Sequence, residues 1–379
     1  MASMKRLLCY FALCLIASTM YGQQFNEIDS IILKGIADTL YPGACVVVGT
    51  PTGILYEEAY GHFTYDPSSP AVQTTSMFDL ASCTKVFATT MCAMKLVNDG
   101  RLLLDEKVSA YVPAFAQNGK GDVTVKNLLL HNGGMPEYYT PKKDETPEKI
   151  VDVIFSIKQK FPRGKYKYSC LNMVSLMKVM ESVTHEPMYQ FYEETYTKPL
   201  GLHRTMFTPP DSLKQFCLPT LAKPGTQGFV HDPLAAGLKG LSGNAGLFST
   251  TGDLAVFCQL MLGYGRVNDI RIVDSSTVAE FIRWQPDTAS TRALGWGTNH
   301  DGESSAGSLF SRASFGHTGY TGTSVWCDPE RQIFVVLLTN RVYPDDRVDV
   351  TGTRIAVADA VVHALEESPK KPGVIIEHR

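Results

Sequence analysis

The sequence predicts an α+β fold of the α/β-sandwich type: one antiparallel sheet built from both termini and flanked by helices, with a mostly helical lobe inserted between its halves. Three observations carry this expectation. Two β-rich runs, "GACVVVGT" (43–50) and "GILYEEAY" (53–60), stand near the start and are joined by a Pro-Thr-Gly turn. Four more, "ALGWGT", "SFGHTG", "TSVWCDPE" and "QIFVVLLTN", fill the stretch from about 293 to 340. Between the two groups, from roughly 100 to 285, the apolar spacing is helical and the breaks hold Gly and Pro. The sheet lobe is expected over about 25–75 and 290–379 and the helical lobe over about 76–289, within a single domain of residues 23–379.

Taken in order, the first element is a leader. Lys5 and Arg6 precede an apolar run of about a dozen residues and then small and polar ones, which reads as a signal peptide over 1–22. That run is short for a bilayer span, and no later window is apolar enough, so the expectation is a periplasmic or secreted protein with no membrane span in the mature chain. "FNEIDSIILKGIADTL" (25–40) has helical spacing and precedes the first hairpin. A helix opening near Ser82 and stopping at Asp99-Gly100 is apolar nearly all round and should be buried. Further helices are expected in "VTVKNLLLH", "TPEKIVDVIFSIKQ", "LNMVSLMKVMESVT", "MYQFYEETYTKPLG" and "TTGDLAVFCQLMLGYG", the last with a capping-box-like start in which Thr250 precedes Asp253 by three. Asp328-Pro329-Glu330-Arg331 reads as a hairpin turn, and "GTRIAVADAVVHALEE" as a closing helix.

Composition narrows the function. With 379 residues, 44% hydrophobic and 19% charged, the chain can bury a substantial core. A net charge of -3 leaves no basic surplus to attract nucleic acid. Of nine cysteines, Cys9 and Cys14 fall in the leader. The other seven are scattered without paired spacing, as expected of buried small hydrophobes rather than a disulfide framework or a zinc site.

The chemistry-bearing residues lie in three short motifs: Ser82-Cys83-Thr84-Lys85, Tyr168-Ser169-Cys170 and His317-Thr318-Gly319. Ser-x-x-Lys alone decides nothing, because it also occurs at Ser175/Lys178 and Ser368/Lys371, and a serine at a helix entrance is more often a cap. Ser82 is set apart by its place at the mouth of a buried helix, where a lysine one turn on shares its face. Burial and the positive helix end both disfavour a protonated Lys85, which makes it a candidate proton acceptor for the hydroxyl.

The three motifs in this order, with "FDLASCTKVFATTMCAMKLVNDGRLLLDEKV", "VTVKNLLLHNGGMP", "GLSGNAGLFSTTGDLA" and "FGHTGYTGTSVWCDPERQIFVVLLTN", resemble the serine beta-lactamase and penicillin-binding-protein-like hydrolases, in the branch of class C beta-lactamases, D-Ala carboxypeptidases and related esterases. The resemblance implies the beta-lactamase/transpeptidase-like fold and an acyl-enzyme on Ser82. It implies Lys85 and Tyr168 as joint proton acceptors, an oxyanion hole made by the backbone N–H groups of Ser82 and Tyr320, and substrate contacts from His317, Thr318, Gly319 and Cys170. Asn244 reads either as a further substrate contact or as part of a Gly-rich turn, and the His231-Asp232 pair as a surface turn rather than a dyad. No metal or organic cofactor is implied.

Two positions depart from the family pattern. Cys170 stands where Asn or Asp is usual, and a thiol is a weak donor and acceptor. His317 stands where the lactamases and carboxypeptidases usually carry lysine, which removes a permanent cation. The expected function is an esterase or D-amino-acid peptidase acting on small esters, amides or peptidoglycan-type peptides, the alternative being a beta-lactamase or a non-turnover penicillin-binding or sensing protein.

Overall fold

The computed structural model describes residues 25–286 and 290–366. The expected leader and the Ser368/Lys371 pair lie outside these residues. Six antiparallel strands form the main sheet: β1 (Gly43–Thr50), β2 (Gly53–Gly61), β3 (Gly297–Thr298), β4 (Phe315–Thr318), β5 (Ser324–Asp328) and β6 (Ile333–Thr339), in the order β2-β1-β6-β5-β4-β3. The two ends of the chain meet where β1 pairs with β6, Ala44 opposite Thr339 and Gly49 opposite Phe334. Gly49 has to be glycine, because a Cβ there would run into the Phe334 ring.

The near-continuous apolar runs of β1 and β6 are explained by burial on both faces. Ala44, Val46, Val48, Ile333, Val335 and Leu337 point to a core shared with two helices, α1 (Asn26–Ala37), through Ile28 and Ile32, and α5 (Thr351–Glu366), through Val357 and Val361. Their alternates Cys45, Val47, Phe334, Val336 and Leu338 point to the larger core of the helical lobe. The period of two therefore sorts one apolar run into two cores, each buried aliphatic side chain contributing about 1.5–3 kcal/mol.

The larger core is built around three helices, α2 (Met91–Asn98), α3 (Cys170–Thr184) and α4 (Thr251–Leu262), whose apolar faces supply Met91, Met94, Leu171, Val174, Leu254 and Phe257. Shorter helices at Val125–Leu129 and Pro147–Ser156 pack beside them. All seven cysteines among the described residues are buried free thiols, as their scatter implied. Among these residues no helix is long and apolar enough to cross a membrane.

The structure departs from the expected elements in four places. The helix after Ser82 is not one regular cylinder: a 3₁₀ turn at Ala81–Cys83 leads into a π-wound stretch, Lys85–Thr90, and only then into α2. "ALGWGT" keeps just two strand residues, because Gly295 has φ +81° and the Ala293 N–H turns back to the Trp296 carbonyl at 3.1 Å. Thr250 caps α4 by accepting the Asp253 N–H at 3.3 Å, but the Asp253 carboxylate accepts from Arg204 and Thr205 instead of closing the box. A small sheet of Phe78–Asp79, Leu247–Ser249 and Met206–Phe207 was not foreseen, its strands being too short to show a period. It places Asp79 and Leu80 beside the 243–249 loop, and so sets the entrance to the site.

Candidate active site

Ser82 is presented by a backbone turn that is itself held from behind. Ala81 has φ +45°, in the left-handed region that alanine avoids. The buried Asp79 carboxylate spans this turn, accepting the Ala81 N–H at 2.8 Å and the His231 N–H at 2.7 Å. The hydroxyls of Thr321 and Thr323 donate to the carbonyls of Asp79 and Leu80 at 2.7 and 3.0 Å, tying the turn to the loop that follows β4.

Lys85 is fully buried, and its Nζ donates to Ser82 Oγ at 2.8 Å and to the Asn244 carbonyl at 2.8 Å. Its π-wound stretch also brings Thr89 to the neighbouring Gly243 carbonyl at 2.6 Å. Burial pulls the Lys85 pKa down, but the Cys170 thiol, the Tyr168 phenol and Asp232 act against it and the net direction is up. The sequence reading of a neutral or proton-sharing amine weighed burial and the helix end; here acidic partners that the sequence did not place beside Lys85 oppose the burial.

Tyr168 lies one residue before Ser169, which caps α3 by accepting the Leu171 N–H at 3.2 Å. The Lys85 ammonium stands 5.2 Å from the centre of the Tyr168 ring. Burial raises the phenol pKa and the Lys85 charge opposes that rise, while Ser82 also interacts with the hydroxyl. The Tyr168 ring is flanked by His131, 4.7 Å between centroids, and by His317, 6.0 Å away. Cys170 opens α3, with its N–H donated to the Glu137 carbonyl at 2.8 Å.

His317 ends up neutral. Burial first, then Arg292 and Lys85, hold its pKa well below the usual imidazole range, and its Nδ1 hydrogen-bonds the Thr318 carbonyl at 2.8 Å. Gly319 packs against the Ser82 turn, where any Cβ would collide with the Leu80 carbonyl and the Thr323 hydroxyl. Among the described residues neither the Ser82 nor the Tyr320 backbone N–H has an intramolecular acceptor. Ser82, Tyr168, His317, Thr318, Gly319 and Tyr320 all line one open cleft of about 530 Å³.

Two expectations need correction. The Asn244 side chain does not reach the cleft: its Oδ1 accepts from Ser242 at 2.7 Å and its Nδ2 donates to Asp232 at 3.0 Å, so this residue serves Lys85 through its carbonyl. The His231-Asp232 pair is more than a surface turn. Asp232 caps the Pro233–Gly237 helix, accepts from Tyr138 and Asn244, and bears electrostatically on Lys85, while the His231 ring stacks on Tyr320 at 5.8 Å.

Arg292, His131 and Asp79 were not singled out from the sequence. Arg292 is only 9% exposed yet borders the cleft, its guanidinium 5.9 Å from the Tyr168 ring and 6.0 Å from that of Tyr166. One of its terminal nitrogens donates to the Gly295 carbonyl at 3.1 Å, and its Nε has no partner among the described residues. The signals for these residues are single letters inside apolar or Gly-rich strings, with no spacing to mark them.

Known proteins share this architecture. The Beta-lactamase family profile matches residues 28–360. An N-acetylmuramyl-L-alanine amidase of Bacillus subtilis is 32% identical over 399 aligned residues, covering 91% of this chain and 90% of its own. A putative D-alanyl-D-alanine carboxypeptidase of Escherichia coli is 32% identical over 363, covering 84% and 82%. Among solved structures, a penicillin-binding protein homologue from Caulobacter crescentus superimposes with a TM-score of 0.76 at 18% identity, covering 90% of this chain and 97% of that one. With that match along almost its whole described length, the chain belongs to the beta-lactamase family and is a serine hydrolase.

Proposed function

We propose that the protein hydrolyses D-amino-acid peptides of the cell-wall type through an acyl-enzyme on Ser82. The observation that carries this reading is the contact between Lys85 Nζ and Ser82 Oγ, 2.8 Å, at the floor of a cleft that Arg292 borders with a permanent positive charge. In the reactive state the Tyr168–Lys85 pair has already given one proton to solvent; as the Ser82 oxygen attacks the carbonyl carbon, its proton passes to the vacant Tyr168 oxygen, with Lys85 sharing the charge of the pair. The oxyanion is received by the N–H groups of Ser82 and Tyr320, which have no acceptor to give up among the described residues. The proton then goes to the leaving amine, and water attacks the acyl-enzyme to free the acid and restore Ser82.

With His317 neutral, the cations that line the cleft are Arg292, Arg341 and Arg354. Arg341 donates to the Tyr320 and Val348 carbonyls and Arg354 to those of Gly319 and Thr323, so Arg292, beside the Tyr168 ring, is the one assigned to a substrate carboxylate. That supports a peptide ending in a free carboxylate, as the name of the E. coli relative does for that protein. The neutral His317 favours a second reading, a small uncharged ester, over a beta-lactam whose carboxylate would want a cation at that position. Residues 1–22 act as an export signal in this reading and place the enzyme in the periplasm or outside the cell.

The test is a comparison of parent and Arg292→Ala on a D-Ala-D-Ala peptide and on a neutral p-nitrophenyl ester. The expected result is a rise in KM of about tenfold or more for the peptide with little change for the ester. Equal effects on both substrates would remove the carboxylate role, and turnover of the ester alone by the parent would move the assignment to esterase.

A further inference from the structure

His131 is completely buried and has a backbone φ of 52°, a left-handed conformation that strains a non-glycine residue. What the residue holds accounts for that conformation. Its carbonyl accepts the Lys167 N–H at 2.8 Å, and its Nδ1 accepts the Ser169 N–H at 3.2 Å. Its ring lies on the Tyr168 ring, with 4.7 Å between centroids and 35° between planes. One residue thereby fixes the amide before Tyr168, the amide after it and one face of the phenol between them.

The rest of the segment continues the pairing. The Gly164 N–H meets the Asn132 carbonyl at 2.8 Å and the Lys160 N–H meets the Gly134 carbonyl at 2.9 Å, so residues 131–134 form a rail along which 160–169 is laid. An imidazole whose Nδ1 accepts a backbone N–H carries its single proton on Nε2 and is uncharged. The surroundings enforce this: burial first, then Arg292 and Lys85, hold the His131 pKa well below the usual range. A protonated ring would turn its Nδ1–H against the Ser169 amide and break the clamp.

We propose that His131 is a positioning residue that locks the 167–169 backbone and the plane of the Tyr168 phenol, so that the hydroxyl stays against Ser82 and Lys85. This rests on the role proposed above for Tyr168. The hydroxyl has to meet both partners at hydrogen-bond distance, and misplacement of a reacting group by about 1 Å costs on the order of 100-fold in rate.

The test uses two replacements of His131 in the full chain, with Tyr168→Phe alongside and melting curves for every protein. His131→Leu keeps bulk and loses the acceptor, whereas His131→Asn keeps an acceptor close to the position of Nδ1 and tolerates the left-handed backbone. The expected result is a kcat about 100-fold down for His131→Leu at nearly unchanged KM, with His131→Asn within about tenfold of the parent. Folded His131→Leu at a kcat within about threefold of the parent, beside an inactive Tyr168→Phe, overturns the positioning role and leaves the Tyr168 reading standing. A His131→Asn as impaired as His131→Leu also overturns it. Parental rates for Tyr168→Phe overturn both. If His131→Leu does not fold, His131→Gln, whose acceptor sits one bond further out, takes its place with the same outcomes.

Discussion

Asp79 sits wholly inside the protein with two backbone N–H groups, from His231 and Ala81, in place of its hydration. Burial pushes its pKa up to about 6, the two donors opposing the rise and Asp232 adding to it, whereas the ordinary value is 3.8. The folded protein therefore binds this proton more tightly than the unfolded chain. The stability it contributes is complete below the ordinary carboxyl value and is lost as the pH climbs through about 6, a change on the order of 3 kcal/mol. Asp79→Asn removes the titration, so urea unfolding across that window should show the parent losing stability with rising pH and the variant staying flatter. Parallel curves for the two proteins would contradict this assignment. Ser82, Lys85 and Tyr168 were legible in the sequence because each sits in a local motif at an element boundary. Asp79 and His131 were not, because each acts on backbone amides far along the chain, at 231 for one and at 167 and 169 for the other.

Among the elements, the end of β4 and the turn that carries Ser82 behave as one unit. Thr321 and Thr323, just beyond β4, donate to the carbonyls of Asp79 and Leu80, and Gly319 fits between them without a side chain. The Gly319→Ala change would drive a methyl group into the Leu80 carbonyl and the Thr323 hydroxyl, parting strand from turn. The expected cost is about 1–3 kcal/mol in unfolding free energy, with a fall in kcat larger than any change in KM. Parental stability and kcat together would show that the contact is slack. The strands of the hairpins were readable from composition and period. The split of the Ser82 helix into 3₁₀, π and α stretches was not, since each letter from 81 to 98 is compatible with a regular helix. The wider winding coincides with Lys85 and Thr89 both reaching carbonyls of the 243–244 loop, a tertiary contact with no local signature.

On the scale of the whole molecule, one sheet drawn from both halves of the chain separates two cores, and its β4 end meets the helical lobe at the cleft. Each side supplies part of the site: the lobe brings Ser82, Lys85 and Tyr168, and the sheet brings His317, Gly319 and Tyr320. Strand-like runs at both ends of a helical middle made the shared sheet readable; the two cores were not, because β1 and β6 are apolar on both faces and show no polar alternation. The charge of the cleft was not readable either: Arg292 becomes a cleft residue through the turn around Gly295 that replaces the expected strand, and Arg341 and Arg354 join it from after β6 and from α5. Intact-mass spectrometry of the parent mixed with a D-Ala-D-Ala peptide or an activated ester, quenched in acid within one turnover, should detect the chain carrying one acyl group, mapped by digestion to the peptide that holds Ser82. The Ser82→Ala protein should remain at its unmodified mass. An adduct of equal yield on Ser82→Ala, or turnover by that variant at the parental rate, would contradict an acyl-enzyme on Ser82.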